Sequence, residues 1–311
     1  MSKILVVGGA GYIGGYLCDL LAKEHNVMVY DSLVYEDKYL KPIDFVYGDI
    51  RDHNRLSTIL SLEKPDVVIW LAALVGDGAC AINPSLSKEI NEDSVKWIVD
   101  NYKGKLVFTS TCSVYGAQEG MLSEDSPTNP LSIYASTKLE AERYVRERCK
   151  DYLIFRLGTL FGLSDTYSRV RFDLVVNILA KRAACKETLK VFGGSQWRPL
   201  IHVKDVSNAI SFGLKKDIRG LYNLSCGNYT ILDLAEEIQK LLPDTKIQTE
   251  ECKFEDLRNY KVTSLFDQYD WRPSFSLAEG ILEIYTVVVN GRIRNVENPL
   301  YYNDRYLKGT I

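Results

Sequence analysis

Lys3 to Asp31, KILVVGGAGYIGGYLCDLLAKEHNVMVYD, reads as strand, glycine turn, helix and strand. Ile4, Leu5, Val6 and Val7 form a continuous apolar run, the pattern of a parallel strand covered on both faces. The run stops at Gly8-Gly9-Ala10-Gly11-Tyr12-Ile13-Gly14. Gly9, Gly11 and Gly14 fit G-x-G-x-x-G; Gly8, Gly11 and Gly14 fit the looser G-x-x-G-x-x-G. Such a turn bends tightly and lets backbone approach a pyrophosphate. The N–H groups of the helix that follows then face the phosphates. Leu17, Leu20 and Leu21 give that helix an apolar face, and Val27, Val29 and Tyr30 make the next strand, which ends at Asp31. An acid there, about 20 residues past the glycines, accepts both hydroxyls of an adenosine ribose and repels a 2′-phosphate. No arginine follows it closely, so the pattern favours NAD over NADP. Glycines alone would mark an ordinary βα turn; the flanking strand and helix and the acid beyond them carry the dinucleotide reading.

Composition bounds the class. The chain has 311 residues, 46% of them apolar, enough for one large domain or two closely joined ones. A net charge of −3 offers no nucleic-acid stripe and no polybasic membrane patch. The seven cysteines (Cys18, Cys80, Cys112, Cys149, Cys185, Cys226 and Cys252) are scattered and never form C-x-x-C, which suits reduced thiols in a cytoplasmic protein. The amino terminus enters a strand directly, so no signal peptide is expected. The longest apolar stretch, around Val67 to Val75, is too short to span a bilayer. His25, His53 and His202 lie far apart without ligand spacing, and no zinc site is expected.

Alternating patterns continue beyond Asp31. Strands are predicted at Asp44–Tyr47, Val67–Leu71, Leu106–Thr109 and Leu153–Arg156. Helices are predicted at Asn54–Leu62, Ser85–Asn101 and Ser132–Lys150, with loops at Leu74–Pro84 and 117–130. The alternation predicts an α/β fold, a doubly wound parallel sheet with helices on both faces. Asp49, just past the third strand, either accepts from the adenine amino group or caps the next helix. Ala72 and Ala73 are small enough for backbone to pass close to a cofactor, or serve strand–helix packing. After about Gly162 the alternation weakens. Helices are predicted at Phe172–Cys185, Val203–Leu214, Ile231–Leu241 and Leu277–Val289, and short strands near Leu189–Phe192, Leu221–Leu224 and Lys246–Thr249. The tyrosine-rich stretch Arg292 to Ile311 has no assignment beyond an ordered tail lying on the surface.

Tyr134 and Lys138 are four apart and share one face of a helix. A phenol is a poor base at neutrality; a neighbouring ammonium and an oxidised nicotinamide both favour phenolate. A hydroxyl on Thr111, at the end of the fifth strand, is placed to bind the oxygen that loses or gains the proton. Together these groups suit hydride transfer between a secondary alcohol and NAD. About one Y-x-x-x-K is expected by chance in a chain so rich in both residues, so the pair gains its weight from its place after the NAD fingerprint and a Ser/Thr-rich strand end.

At this point the chain resembles the extended short-chain dehydrogenase/reductases of the NAD-dependent nucleotide-sugar epimerase/dehydratase family. The matching residues are Gly8-x-x-Gly11-x-x-Gly14, Asp31, Gly48-Asp49, Ser110-Thr111-x-x-Val114-Tyr115-Gly116, Tyr134-x-x-x-Lys138, Arg156 to Gly162 and Arg198 to Val206. They span almost the whole chain in the family's order. The resemblance implies a Rossmann domain over 1–165, with 202–228 returning to it, and a smaller carboxyl-terminal α/β nucleotide-sugar region over 166–201 and 229–311. It implies Tyr134 as base, Thr111 as its hydroxyl partner and Lys138 as modulator. The cofactor set is Gly8, Gly11, Tyr12, Ile13, Gly14, Asp31, Asp49, Ile50, Leu71, Ala72, Ala73, Tyr134 and Lys138. Arg198 and Arg258 are implied at the substrate diphosphate, which suits bidentate arginine recognition, with Asn177 near the same nucleotide and His202 structural. Arg169 and Arg171 either touch phosphate or sugar or are solvated charges at a helix start. A homodimer through helices 85–101 and 132–150 is also implied.

Departures from the family pattern narrow the reaction. The 4,6-dehydratases of the family resemble one another in Thr-Asp-Glu, whose acids eliminate water; here the run is Thr111-Cys112-Ser113. The Glu of the decarboxylases and the Cys of GDP-fucose synthase-like epimerases are also replaced by Ser113, and Cys112 reads as a small apolar filler. Chemistry at C4 of a nucleotide-diphosphate hexose or heptose remains, in surface-polysaccharide sugar biosynthesis. The first expectation is a 4-epimerase and the second a 4-dehydrogenase, for example of a GDP-heptose. A non-catalytic NAD-binding regulator is the reading of a different class, against which Thr111, Tyr134 and Lys138 are all intact.

Overall fold

The computed structural model describes residues 1–251 and 258–310. Seven parallel strands form the central sheet, in the spatial order Gly220–Leu224, Tyr152–Leu157, Lys105–Thr111, Val67–Trp70, Lys3–Val7, Asn26–Asp31 and Asp44–Tyr47. The chain builds outward from Lys3–Val7 in one direction, then crosses to Val67–Trp70 and builds outward in the other. The strand ends diverge at that reversal and leave a crevice at the carboxyl edge. Register brings the key residues to that edge. Val7 lies opposite both Tyr30 and Trp70, and Thr111 lies opposite Leu157, so Gly8, Asp31, Leu71 and Thr111 share one rim.

The unbroken apolar runs follow from helices on both faces. Ile4 and Val6 pack with Leu17, Leu21, Val206 and Ile210 on one side. Leu5 and Val7 pack with Leu56, Val95, Ile98 and Val145 on the other. A second core surrounds Phe161, Phe172, Leu189 and Ile281. It lies beneath a small sheet of Thr159–Phe161, Trp197–His202 and Gly227–Thr230 and the helices Val175–Ala184, Ile231–Leu241 and Leu277–Val289. Capping boxes start two of those helices, Thr230 with Asp233 and Ser276 with Glu279, each side chain satisfying a backbone N–H that the first turn leaves open.

Several local expectations are corrected. The helix expected over Ser85–Asn101 is interrupted by a π turn at Glu89–Asp93. That turn carries the buried Asn91, whose amide accepts from the Leu74 N–H at 2.8 Å and donates to its carbonyl at 2.9 Å; the wider turn thus fastens the loop in front of it. The stretch expected as loop from Leu74 to Pro84 contains the helix Asp77–Ile82. The loop expected over 117–130 contains a strand, Ala117–Leu122, paired in parallel with Asn259–Val262. The helix expected from Phe172 begins at Val175. The unassigned tail folds into a short turn at Pro299–Tyr301 and a helix at Asn303–Thr310. Among the described residues no helix is long and apolar enough to cross a membrane.

Candidate active site

A cavity of about 860 Å³ opens along the carboxyl edge of the sheet. Gly8, Gly11, Tyr12, Ile13, Asp31, Asp49, Ile50, Leu71, Ala72, Ala73, Thr111, Tyr134, Lys138, Arg198 and Arg258 all line it; Gly14 stands behind the turn. Gly8 has φ +85°, and a Cβ there would lie 2.5 Å from the Ala72 nitrogen. A Cβ on Gly14 would lie 2.4 Å from the Gly9 carbonyl oxygen. Only glycine allows this close packing of turn, helix and neighbouring strand. The Asp31 carboxylate accepts from the Ala10 and Leu33 N–H groups at 3.0 and 2.8 Å. Burial pushes its pKa up while those backbone donors pull it down, and each oxygen keeps a further lone pair for a hydroxyl. A glycine cradle ending at a buried acid fits a dinucleotide.

One expectation here changes. The cap of the helix His53–Glu63 is Asp52, accepting from the Arg55 N–H at 3.0 Å, so Asp49 is not the cap. Asp49 is instead gripped by Arg51 at 3.0 and 2.6 Å. The Tyr12 hydroxyl donates to the Gly162 carbonyl and accepts from Asn177, which leaves its ring and backbone on the cavity side.

Tyr134 stands in the first turn of the helix Ile133–Arg148. The cap Ser132 accepts from the Ala135 N–H at 3.1 Å and donates to Asp77 at 2.6 Å, tying the helix start to the helix Asp77–Ile82. Burial pushes the Tyr134 phenol above its ordinary pKa; hydrogen bonding to Thr111 and the Arg171 charge pull it back. The ammonium of Lys138 was expected to provide that pull. Its Nζ lies 4.1 Å from the centroid of the Phe108 ring, and burial brings Lys138 down to about 7. In the protein alone, burial favours the neutral form of both groups.

The helix is braced from behind. Buried Glu142 takes Arg156 at 3.0 and 2.6 Å and the Ser110 hydroxyl at 2.7 Å. Arg156 also donates to the Tyr115 hydroxyl at 2.8 Å. This network joins the Tyr134 helix to the strand end that carries Thr111. Cys112 points into the core with its thiol pushed up by burial. Ser113 faces the cavity, 3.3 Å from the Tyr260 hydroxyl.

Arg198 and Arg258 meet at the far end. Arg198 donates to the Arg258 carbonyl, and Arg258 reaches Asp77 at 3.2 Å. Asn177 does not join them, a correction to its expected place at the nucleotide. It is fully buried, accepts from the Gly162 N–H at 2.9 Å and donates to the Arg171 carbonyl at 2.8 Å, so its amide is committed to the protein. Arg169 and Arg171 are not solvated: both line the cavity, and Arg171 forks onto Asp173 at 3.0 and 2.8 Å. His202 is buried between Glu283, at 3.0 Å, and the Lys204 N–H, a helix cap away from the cavity. Sequence reasoning missed Tyr35, Asp77, Asp173 and Tyr260, and also Asn303, Tyr306 and Leu307 of the tail. Only the tail's excess of tyrosine hinted at packing.

The model of the family described as "NAD dependent epimerase/dehydratase family" matches residues 4–225. The UDP-glucose 4-epimerase of Halalkalibacterium halodurans is 32% identical over 72% of this chain and 75% of its own. The dTDP-D-glucose 4,6-dehydratase of Bos taurus is 26% identical over 90% of this chain and 86% of its own. The UDP-glucuronic acid 4-epimerase of Bacillus cereus, solved in complex with UDP-glucuronic acid and NAD, superposes with a TM-score of 0.78 at 25% identity, over 93% of this chain and 99% of that one. With the glycine cradle and buried acid in place, this chain belongs to the NAD-dependent epimerase/dehydratase family, and NAD is its cofactor.

Proposed function

We propose that this protein acts at C4 of a nucleotide-diphosphate sugar through a 4-keto sugar, as a 4-epimerase. The observation that carries the reading is that Tyr134, Thr111 and buried Lys138 line one cavity, next to a strand end where Cys112 and Ser113 stand in place of acids. Tyr134 Oη takes the C4 hydroxyl proton and later returns it, while Thr111 holds the same oxygen. Bound NAD supplies hydride exchange at C4 and a positive charge that favours phenolate. Gly8, Gly11 and Asp31 hold its adenosine half, and Lys138 its nicotinamide ribose. Arg258, released from Asp77, and Arg198 take the substrate diphosphate. Without acids at 112 and 113, water elimination has no proton donor at that strand end. The epimerase relatives that act on UDP-sugars make uridine the first base to try. Cytoplasmic location, a part in polysaccharide biosynthesis and a homodimer through helices 85–101 and 132–150 belong to the same proposal; sedimentation tests the dimer.

One observation favours a second reading, a 4-dehydrogenase. Leu307 of the carboxyl-terminal helix packs in the apolar cluster that Tyr134 borders and lines the same cavity, so the tail stands in the space where a keto sugar would have to turn over. Releasing the keto sugar needs no such room. A turnover count separates the two. The purified protein, with no added NAD, is mixed with UDP-, GDP-, dTDP- and CDP-sugars; the sugar is followed by NMR and the nicotinamide by absorbance. Many turnovers to a C4 epimer with no lasting reduced cofactor is the expected result. At most one turnover with reduced cofactor left on the protein establishes the dehydrogenase. No change in any sugar or in absorbance overturns both.

A further inference from the structure

The tail does not lie loosely on the surface. Asn303 and Leu307 are 3% and 1% exposed, unusual for a chain end, where residues ordinarily fray. An eight-residue helix does not hold itself together in water, so its order comes from what it touches. Three distant segments of the cavity wall touch it. The Asn303 amide donates to the Val75 carbonyl at 2.8 Å, just ahead of the helix Asp77–Ile82. The Tyr306 ring lies 5.3 Å from that of Tyr35, four residues past the ribose acid Asp31. Leu307 shares an apolar cluster with Tyr134.

Arg169 joins these pieces. Its guanidinium donates to the Leu300 carbonyl at 2.7 Å and to the Asn303 side-chain oxygen, and lies 3.9 Å from the centroid of the Tyr35 ring. Its backbone N–H donates to Glu36 at 2.8 Å. The segment therefore runs from the loop beyond Asp31 to the helix bearing Tyr134. The dinucleotide must follow the same course, from the ribose acid past the glycine turn to the reacting phenol.

We propose that the carboxyl-terminal segment Pro299–Leu307 is part of the NAD site, fastened by Arg169 and Asn303 over the cofactor's path, and that it keeps NAD from leaving between turnovers. Release then requires the segment to lift. The inference rests on NAD as the cofactor and not on which sugar is turned over or how.

The test is NAD retention. Full-length protein is loaded with NAD, desalted and exposed to isotopically labelled NAD, and exchange is followed by the mass of the nucleotide released on denaturation. Asn303→Ala loses both the Arg169 and the Val75 bonds, and exchange speeds up about 10-fold. A chain ending at Asn298 exchanges about 100-fold faster and emerges from desalting without NAD. Melting is measured with and without NAD. Losing the buried Leu307 lowers the apo transition of the shortened chain by itself; a strap in addition shrinks the rise that NAD produces over each variant's own apo transition, because that rise scales with affinity. Exchange rates within about two-fold of the parent would overturn the proposal. So would variants that lower apo melting but keep the full NAD-induced rise, since the segment would then be only a brace. If the shortened chain fails to fold, Asn303→Ala and Tyr306→Ala decide.

Discussion

The two long walls of the cavity are built in opposite ways. The wall that carries Thr111, Tyr134 and Lys138 comes from one strand and one helix, and buried Glu142 on the helix locks the two together by taking the Ser110 hydroxyl of that strand along with Arg156 of the strand beside it. The wall that carries Arg169, Asp173 and Asn303 is assembled from segments as much as 134 positions apart, joined by individual hydrogen bonds. Proton transfer needs donor and acceptor within a few tenths of an ångström, and a buried charged network supplies that rigidity. A cofactor and a substrate must also enter, which requires a wall whose fastenings can open one at a time. The same cavity therefore has a stiff side for chemistry and a separable side for access.

The largest effect is expected on the stiff side. Glu142→Ala strands the Arg156 guanidinium, buried and without its carboxylate, and costs about 3–5 kcal/mol of stability. Urea unfolding at pH 7 measures it; a loss below about 1 kcal/mol would mean that the fork does not brace this wall. Tyr134→Phe keeps the packing and removes only the hydroxyl, so turnover falls about 100- to 10,000-fold while NAD stays bound. Loss of NAD along with turnover would show that the phenol belongs to cofactor binding rather than to proton transfer.

Lys138 tests the stiff wall through pH. Burial holds its ammonium down to about 7, against an ordinary value of 10.5. Between those values the unfolded chain keeps a proton that the folded chain has shed. Stability from this group therefore rises with pH across that window, by at most about 1.4 kcal/mol per pH unit, and has no slope below it. Lys138→Met abolishes the slope. The stability advantage of the Met variant over the parent, in apo protein, should be greatest at pH 7 and shrink toward pH 10. An advantage that stays constant from pH 7 to 10 would mean that the amine is not titrating in the fold.

The contrast between the walls also explains what could be read from sequence. Gly8 to Gly14, Asp31, Thr111 and Tyr134 with Lys138 announce themselves because each lies where a strand ends or a helix begins, and such positions have local signatures. Their meeting follows from strand order alone. Nothing local marks Asn303 or Leu307; Asn303 is held by Arg169 and Val75, and Leu307 packs with Leu74, Ala79 and Cys80, partners that only the tertiary fold brings close. Asn177 misled for a related reason. The family resemblance implied a ligand contact, yet its hydrogen bonds are taken by Gly162 and Arg171. What the sequence pattern does not announce is burial, which in the apo protein acts on Tyr134 and Lys138 alike and favours the neutral form of each.

Asp31 and Asp49 repeat the comparison at smaller scale, both being acids at strand ends that face the same cavity. Asp31 is met only by backbone N–H groups, which no ligand disturbs, and it has acceptor capacity left. Asp31→Ala should weaken NAD about 10- to 100-fold, the worth of hydrogen bonds to a charged acceptor. Asp49 is saturated by Arg51, whose Nε, Nη2 and backbone N–H all point at it, and its side chain is 40% exposed. Arg51 holds its carboxyl below the usual range, so the charge persists, but it is already spent on a neighbour and screened by water. Asp49→Ala should therefore change NAD affinity by no more than about 3-fold, as measured by titration calorimetry on the apo protein. A loss at Asp49 equal to that at Asp31 would show that the Arg51 fork opens when the adenine arrives, and that this rim of the site is made by the ligand rather than waiting for it.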